Sequence, residues 1–310
     1  MFRSFISLAI LSLIIIIPIS GQNLRSADDH NDRGLRYYET GDYDAAIQSF
    51  SRSIELSSRF DGGKAVMKSR LFPAPTEESM LRERINVIDP RTAIAYVNRG
   101  NAYFAKNEIT LAVSDYDRAI AIAPGMAIAY VCRGSVWLLR PDLKRAMADF
   151  EKVIKLEPKS VKGYIGRAMT RLEIGDLNAA LADFDKALEI EPKNAEVYFR
   201  RGDSFRLAEK PNLALADYER AIRLDPKMCG PYLGRGSLRM GRKDFEGAIR
   251  DYTETLRLDG RTAQAYKFRG YAYLYLGKEA EAQRDFDRAI RMAPRFRSEI
   301  DEAITLIKKK

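Results

Sequence analysis

The stretch AIAYVNRGNAYFAKNEITLAVSDYDRAIAIAPGM, residues 93–126, decides the fold. Tyr96, Gly100 and Tyr103 fall at i, i+4 and i+7, on one face of a helix. Ala112, Tyr116, Ala119 and Ile120 mark one face of a second helix. The polar run Lys106 to Thr110 separates the two, and Pro124, which cannot continue a helix, closes the stretch. The arrangement returns every 34 residues. Tyr96, Tyr130, Tyr164, Tyr198, Tyr232 and Tyr266 form one column; Arg99, Arg133, Arg167, Arg201, Arg235 and Arg269 form another. Gly100, Gly134, Gly202, Gly236 and Gly270 form a third, with Ala168 filling its gap. The aromatics Tyr116, Phe150, Phe184, Tyr218, Tyr252 and Phe286 follow, and Pro124, Pro158, Pro192, Pro226 and Pro294 close their units, Gly260 standing in once. Ser160, Asn194 and Thr262 stand where helix N-caps are wanted. Each unit therefore predicts two antiparallel helices, with small residues admitting close backbone approach and aromatics filling the space left.

A helix–turn–helix of this length, with aromatic, glycine, aromatic, alanine, aromatic, alanine and proline in this order, resembles the tetratricopeptide repeat. The resemblance covers six full units over residues 93–294 and implies an all-α, right-handed α-solenoid. Residues 22–58 read as a divergent N-terminal unit carrying Arg33, Gly34, Tyr37, Ala46, Phe50 and Ile54, with His30 where Tyr recurs. Residues 59–92 read as an insertion. Asp61-Gly62-Gly63 and Pro73-Ala74-Pro75 mark loop, Thr76 is placed to cap a short helix, and the segment is expected to gate one end of the array. In residues 295–310, Ile300, Ile304 and Ile307 are spaced for a capping helix.

Residues 1–21 read as a signal peptide: Arg3, an apolar run from Phe5 to Ile17, then Pro18 to Gly21. The chain is expected to be exported and periplasmic or secreted, with an uncleaved N-terminal membrane anchor as the alternative. Cys132 and Cys229 lie almost three units apart, too far to bridge, and are expected as free thiols. The net charge of +9 is spread along the chain, apart from Lys308, Lys309 and Lys310. The basic surface and tail could attach to an anionic polymer or membrane surface. Nucleic acid is disfavoured by export and by charge balance within units.

Catalysis finds little to work with. One histidine and two distant cysteines build no metal cluster. No nucleophile–base pair and no phosphate loop appears, so no cofactor and no small-molecule substrate is expected. The informative anomaly is the Arg column, where the family usually places an apolar residue. It is matched by Asp115, Asp149, Asp183, Asp217, Asp251 and Asp285. These columns predict an internal ladder of ion pairs within or between adjoining units.

The resemblance implies a non-enzymatic scaffold that holds a protein or peptide segment on the concave side, lined by first helices. In this register the expected contacts are Asn98, Asn101, Lys162, Arg200, Asp203, Arg206, Lys267, Phe268 and Tyr271. Arg200, Asp203 and Arg206 would be polar contacts, and Phe268 and Tyr271 apolar anchors.

Overall fold

The computed structural model describes residues 25–68 and 90–308. The signal segment, the insertion beyond residue 68 and the last two lysines lie outside the described residues. The chain divides into two compact units, Met1–Ile174 and Gly175–Lys310. The division falls inside the third full repeat.

Among the described residues the first unit is all helix: α1 (Arg25–Glu39), α2 (Tyr43–Lys68), α3 (Pro90–Ala105), α4 (Ile109–Ile122), α5 (Ala127–Leu139), α6 (Leu143–Leu156) and α7 (Val161–Ile174). The second holds α8 (Leu177–Ile190), α9 (Ala195–Leu207), α10 (Pro211–Leu224), α11 (Cys229–Gly241), α12 (Phe245–Leu258), α13 (Ala263–Tyr275), α14 (Glu279–Met292), a 3-10 turn (Pro294–Phe296) and α15 (Arg297–Lys308). Consecutive helices pair as the periodicity predicts: α1 with α2, α3 with α4, α5 with α6, α9 with α10, α11 with α12 and α13 with α14. Both cysteines are free thiols.

The columns explain the packing. Tyr116, Phe150, Phe184, Tyr218, Tyr252 and Phe286 are all buried. A glycine on the facing helix admits the rings of Tyr116, Phe150, Tyr218, Tyr252 and Phe286: a Cβ at Gly100 would lie 2.7 Å from the Tyr116 ring. The recurring first-helix tyrosine has a separate task. Tyr130, Tyr164, Tyr198 and Tyr232 donate to the carbonyls of Pro124, Pro158, Pro192 and Pro226 at 3.2–3.3 Å, tying each first helix to the turn before it.

Capping is distributed differently from the sequence expectation. Asn194 accepts from the Val197 N–H at 3.1 Å, but Thr262 makes no side-chain cap and donates to Asp259 instead. The regular caps are on second helices, where Asp42, Asp142, Asp176 and Asp244 accept N–H groups three residues on.

Two boundaries are corrected. Asp61-Gly62-Gly63, expected as loop, lies within α2, which runs to Lys68. A glycine inside a helix costs about 1 kcal/mol, which an already nucleated helix absorbs. At the other end, α15 keeps the 34-residue register: Ile300 follows Tyr266, Ala303 follows Arg269 and Ile304 follows Gly270 by one period. It is the first helix of an eighth unit that has lost its arginine and its glycine. Ile300 is buried against Phe286 and Leu274, which caps the apolar end of the second unit.

Candidate functional site

The Arg and Asp columns meet. Arg99, Arg133, Arg201, Arg235 and Arg269 each hold the Asp of their own unit in two parallel hydrogen bonds, 2.6–3.0 Å, from Nε to Oδ2 and from Nη2 to Oδ1. The third nitrogen, Nη1, reaches back to the preceding second helix: to Ser51 from Arg99, Asp117 from Arg133, Asp185 from Arg201 and Thr253 from Arg269. Each guanidinium also lies over the ring of the Tyr three residues earlier, 5.3–5.7 Å from its centroid, and Arg167 does the same over Tyr164. The six aspartates are 3–6% exposed. Hydrogen bonding to Asp217 holds the Arg201 guanidinium above its ordinary pKa. One planar side chain thus joins its own second helix, the preceding second helix and its own first helix, which a lysine could not do.

Three expected peptide contacts are not open to a peptide. Asn98 is buried against the N-terminal pair and donates to Asn31 at 3.1 Å. Asn101 is buried and accepts from the Tyr116 hydroxyl at 2.8 Å. Lys267 is 4% exposed; its ammonium donates to both Glu299 oxygens at 2.7 and 2.8 Å and sits over the Phe268 and Phe296 rings. A first helix packs against the previous pair as well as its own partner, so more than one of its faces is covered. Lys162, in the first unit, is half-buried and has a partner.

The remaining five contacts lie in the second unit, in two places. On α9, Asp203 accepts from the Tyr218 hydroxyl at 2.6 Å, with Arg206 at 3.8 Å. Burial pushes the Asp203 carboxyl above the usual carboxylate range, against the pull of Tyr218 and Arg206. Arg200 lies over Phe199 and 3.5 Å from Glu196, and its Nε is buried without a hydrogen-bond partner. Arg206 keeps about a third of its side chain in solvent.

Further along, Phe268 and Tyr271 line an apolar cleft of about 390 Å³. Ser237, Met240, Tyr252 and Tyr275 line it as well, together with Ala303, Leu306 and Ile307 of α15. Tyr271 Oη is buried with no hydrogen-bond partner; Tyr252 Oη, beside Ser237, makes none of ordinary geometry. Sequence reading gave Tyr252 to the core and Ile307 to the cap, and missed Ser237, Tyr275 and Leu306. One signal was available. The second-helix aromatic is Tyr where the residue 15 earlier is Asn101, Asp203 or Ser237, and Phe where it is Leu35, Met169 or Tyr271; only Ser135, before Phe150, departs.

Among the described residues no cluster could hold a metal ion, and no helix is long and apolar enough to cross a membrane. Tetratricopeptide repeat models match residues 30–60, 93–126, 195–228 and 233–295, and a TPR repeat model matches 170–206. The chain belongs to the tetratricopeptide repeat family. Among solved structures, a tetratricopeptide repeat protein from Parabacteroides merdae ATCC 43184 superposes with a TM-score of 0.62 at 17% identity, over 92% of this chain and 99% of that one. Pseudomonas aeruginosa pilF gives 0.58 at 17% identity, over 67% and 97%. A curated relative, the DnaJ homolog subfamily C member 7 homolog of Dictyostelium discoideum, is 25% identical over 104 residues; the match spans 32% of this chain and 19% of that protein. Tetratricopeptide repeats bind protein or peptide partners, and membership supports an interaction scaffold of a fold that is typically non-enzymatic.

Proposed function

We propose that this tetratricopeptide repeat protein is a non-enzymatic scaffold that holds a segment of another protein on first helices of residues 175–310, outside the cytoplasm. The observation that carries the reading is the cleft over Phe268 and Tyr271, where Met240, Tyr275 and Leu306 add apolar surface from outside the columns that recur every 34 residues. Arg200, Asp203 and Arg206 supply polar contacts on α9. Export rests on the pattern of residues 1–21. The test is capture of partners by the chain from residue 22 onward, from its own extracytoplasmic compartment, at low and moderate salt. Partners that persist at moderate salt and are lost with Phe268→Ala support the reading; partners indifferent to Phe268→Ala and Arg206→Ala overturn it. Fractionation that leaves the chain unprocessed in the cytoplasm removes the export part.

The net charge of +9 and the terminal lysines favour a second reading, attachment to an anionic envelope polymer or membrane surface. It requires binding that appears only at low salt, because such contacts are screened beyond roughly 10 Å at 0.1 M.

A further inference from the structure

One column of the register is buried in every full unit: Val97, Val131, Ile165, Phe199, Leu233 and Lys267. Within each compact unit it meets the following first helix. Val97 shares a core cluster with Ala129 and Cys132 of α5, and Leu233 shares one with Ala265 of α13. A Cβ on Gly230 of α11 would stand 2.6 Å from the Phe199 ring. The facing column runs Ala129, Gly163, Val197, Pro231, Ala265 and Glu299. The last joint therefore breaks both columns together. A lysine replaces the apolar side chain and a glutamate the small one, and they bond at 2.7 and 2.8 Å. Opening an apolar joint bares apolar surface to water, at about 25 cal/mol per Å². Opening this one returns an ammonium and a carboxylate to water, which offsets much of the attraction lost. Glu299 is already half in solvent. The helix held by this joint, α15, also lines the cleft through Ala303, Leu306 and Ile307, whereas neither Lys267 nor Glu299 lines it. The 3-10 turn Pro294–Phe296 joins α15 to α14.

We propose that α15 swings on this turn, that the Lys267–Glu299 pair sets how readily it does so, and that a segment bound in the cleft holds it seated. The inference rests on the peptide-binding reading above and adds the regulation of that site. Lys267 and Glu299 are positioning residues: they touch nothing in the cleft, but they decide whether its α15 residues are in place. A segment that touches both α13 and α15 binds the seated form alone, and a ligand of one form shifts the population toward it. The coupling is reciprocal, so a joint that seats α15 more firmly also favours the segment.

Hydrogen exchange on the whole chain tests the hinge without a ligand, because the amides of α15 report its opening apart from global unfolding. Lys267→Leu with Glu299→Ala gives the last joint the residues of the Leu233–Ala265 joint. It should slow exchange in α15 at least about tenfold and leave α11 and α12 unchanged. The uncharged naphthalene dye prodan then probes the cleft. At about ten times its Kd it should slow exchange in wild-type α15 about tenfold, because a ligand of the seated form alone stabilises that form in proportion to the logarithm of its occupancy. Leu306→Glu, at an exposed lining position, should abolish the effect of the dye. Equal exchange in the wild type and the double variant overturns the inference, and so does a dye that leaves α15 exchange unchanged. Partner capture separates this from the scaffold reading. Partners that depend on Phe268, in a chain whose α15 ignores the joint, sink the hinge alone. A hinge that obeys joint and dye, in a chain that captures nothing, sinks the scaffold reading alone.

Discussion

Arg201 grips Asp217 with two parallel hydrogen bonds of 2.8 Å and at the same time reaches Asp185 of the preceding second helix at 2.7 Å. The clamp is both an intra-repeat and an inter-repeat contact, and it recurs with small changes at Arg99, Arg133 and Arg269. Repeat arrays are stabilised by internal terms and by nearest-neighbour interfaces. Here one side chain serves both, which gives a physical reason for a charged column where an apolar one would also pack.

Arg201→Ala removes the cation from a nearly buried carboxylate. Stranding a buried charge in this way costs roughly 3–5 kcal/mol, while replacing both members by apolar residues is often close to neutral. Arg201→Ala should therefore lower stability to denaturant by about 3 kcal/mol, and Arg201→Met with Asp217→Leu by much less. If the single and double variants lose the same amount, the coupling is absent.

Gly270→Ala tests the glycine column. In an exposed helix this change would stabilise, by about 1 kcal/mol. Here the new Cβ would stand 2.5 Å from the buried Phe286 ring. Overpacking of this kind costs roughly 1–3 kcal/mol, so the sign should invert. Thermal melts decide it: a raised Tm for Gly270→Ala would show that the ring moves aside freely.

The helix pairs were legible because the signals repeat. A glycine opposite a ring or a proline at a boundary is weak once and decisive in five registered copies. The Arg–Asp pairing was legible for the same reason. The peptide surface was not, since function there depends on differences between repeats. Asn98 and Lys267, in adjoining columns of the register, both read as outward, yet each is covered by a non-repeating neighbour, Asn31 of the divergent first pair and Glu299 of the cap. Leu306 and Ile307 join the cleft because α15 holds the repeat register. Asp61-Gly62-Gly63 misled because glycines announce a turn only when nothing upstream propagates helix through them.

Glu209 sits in the turn after α9 with φ +56°, a left-handed conformation shared one or more periods away by Gly41, Gly175 and Gly277. Side chains there are strained by about 1–2 kcal/mol. Glu209→Gly should raise stability by about 1 kcal/mol after the added chain entropy is deducted. Unchanged or lower stability in urea would show that the turn relieves the strain by other means.

Among the described residues, Glu299 is the carboxylate that pairs with the buried Lys267 ammonium, although it is itself half in solvent. Glu299→Ala should loosen α15 locally, since Lys267 keeps only its stacking on Phe268 and Phe296. Lys267→Met, which retains the stem and removes the charge, should restore the cap in the Glu299→Ala background. Hydrogen exchange resolved to α15 is the readout. Equal protection in all three proteins would show that Ile300 packing alone holds the helix.

The Asp203 carboxyl titrates above the usual carboxylate range because it is buried. The folded state thus binds a proton that the unfolded state, with a pKa near ~3.9, does not yet hold. That proton favours folding as pH falls through the raised value, and the gain is complete once pH reaches the unfolded value. Asp203→Asn has no such proton to take up and still accepts from Tyr218. Between neutral pH and about pH 4, the stability of the wild type should therefore rise relative to Asp203→Asn, even as acid weakens both. Urea unfolding at several pH values measures the difference. A difference that stays flat would mean that the carboxyl titrates alike in the folded and unfolded chains. One that shrinks as pH falls would mean that Arg206 and Tyr218 outweigh burial and hold Asp203 charged. In that case the α9 cluster would meet a partner with its carboxylate fully formed.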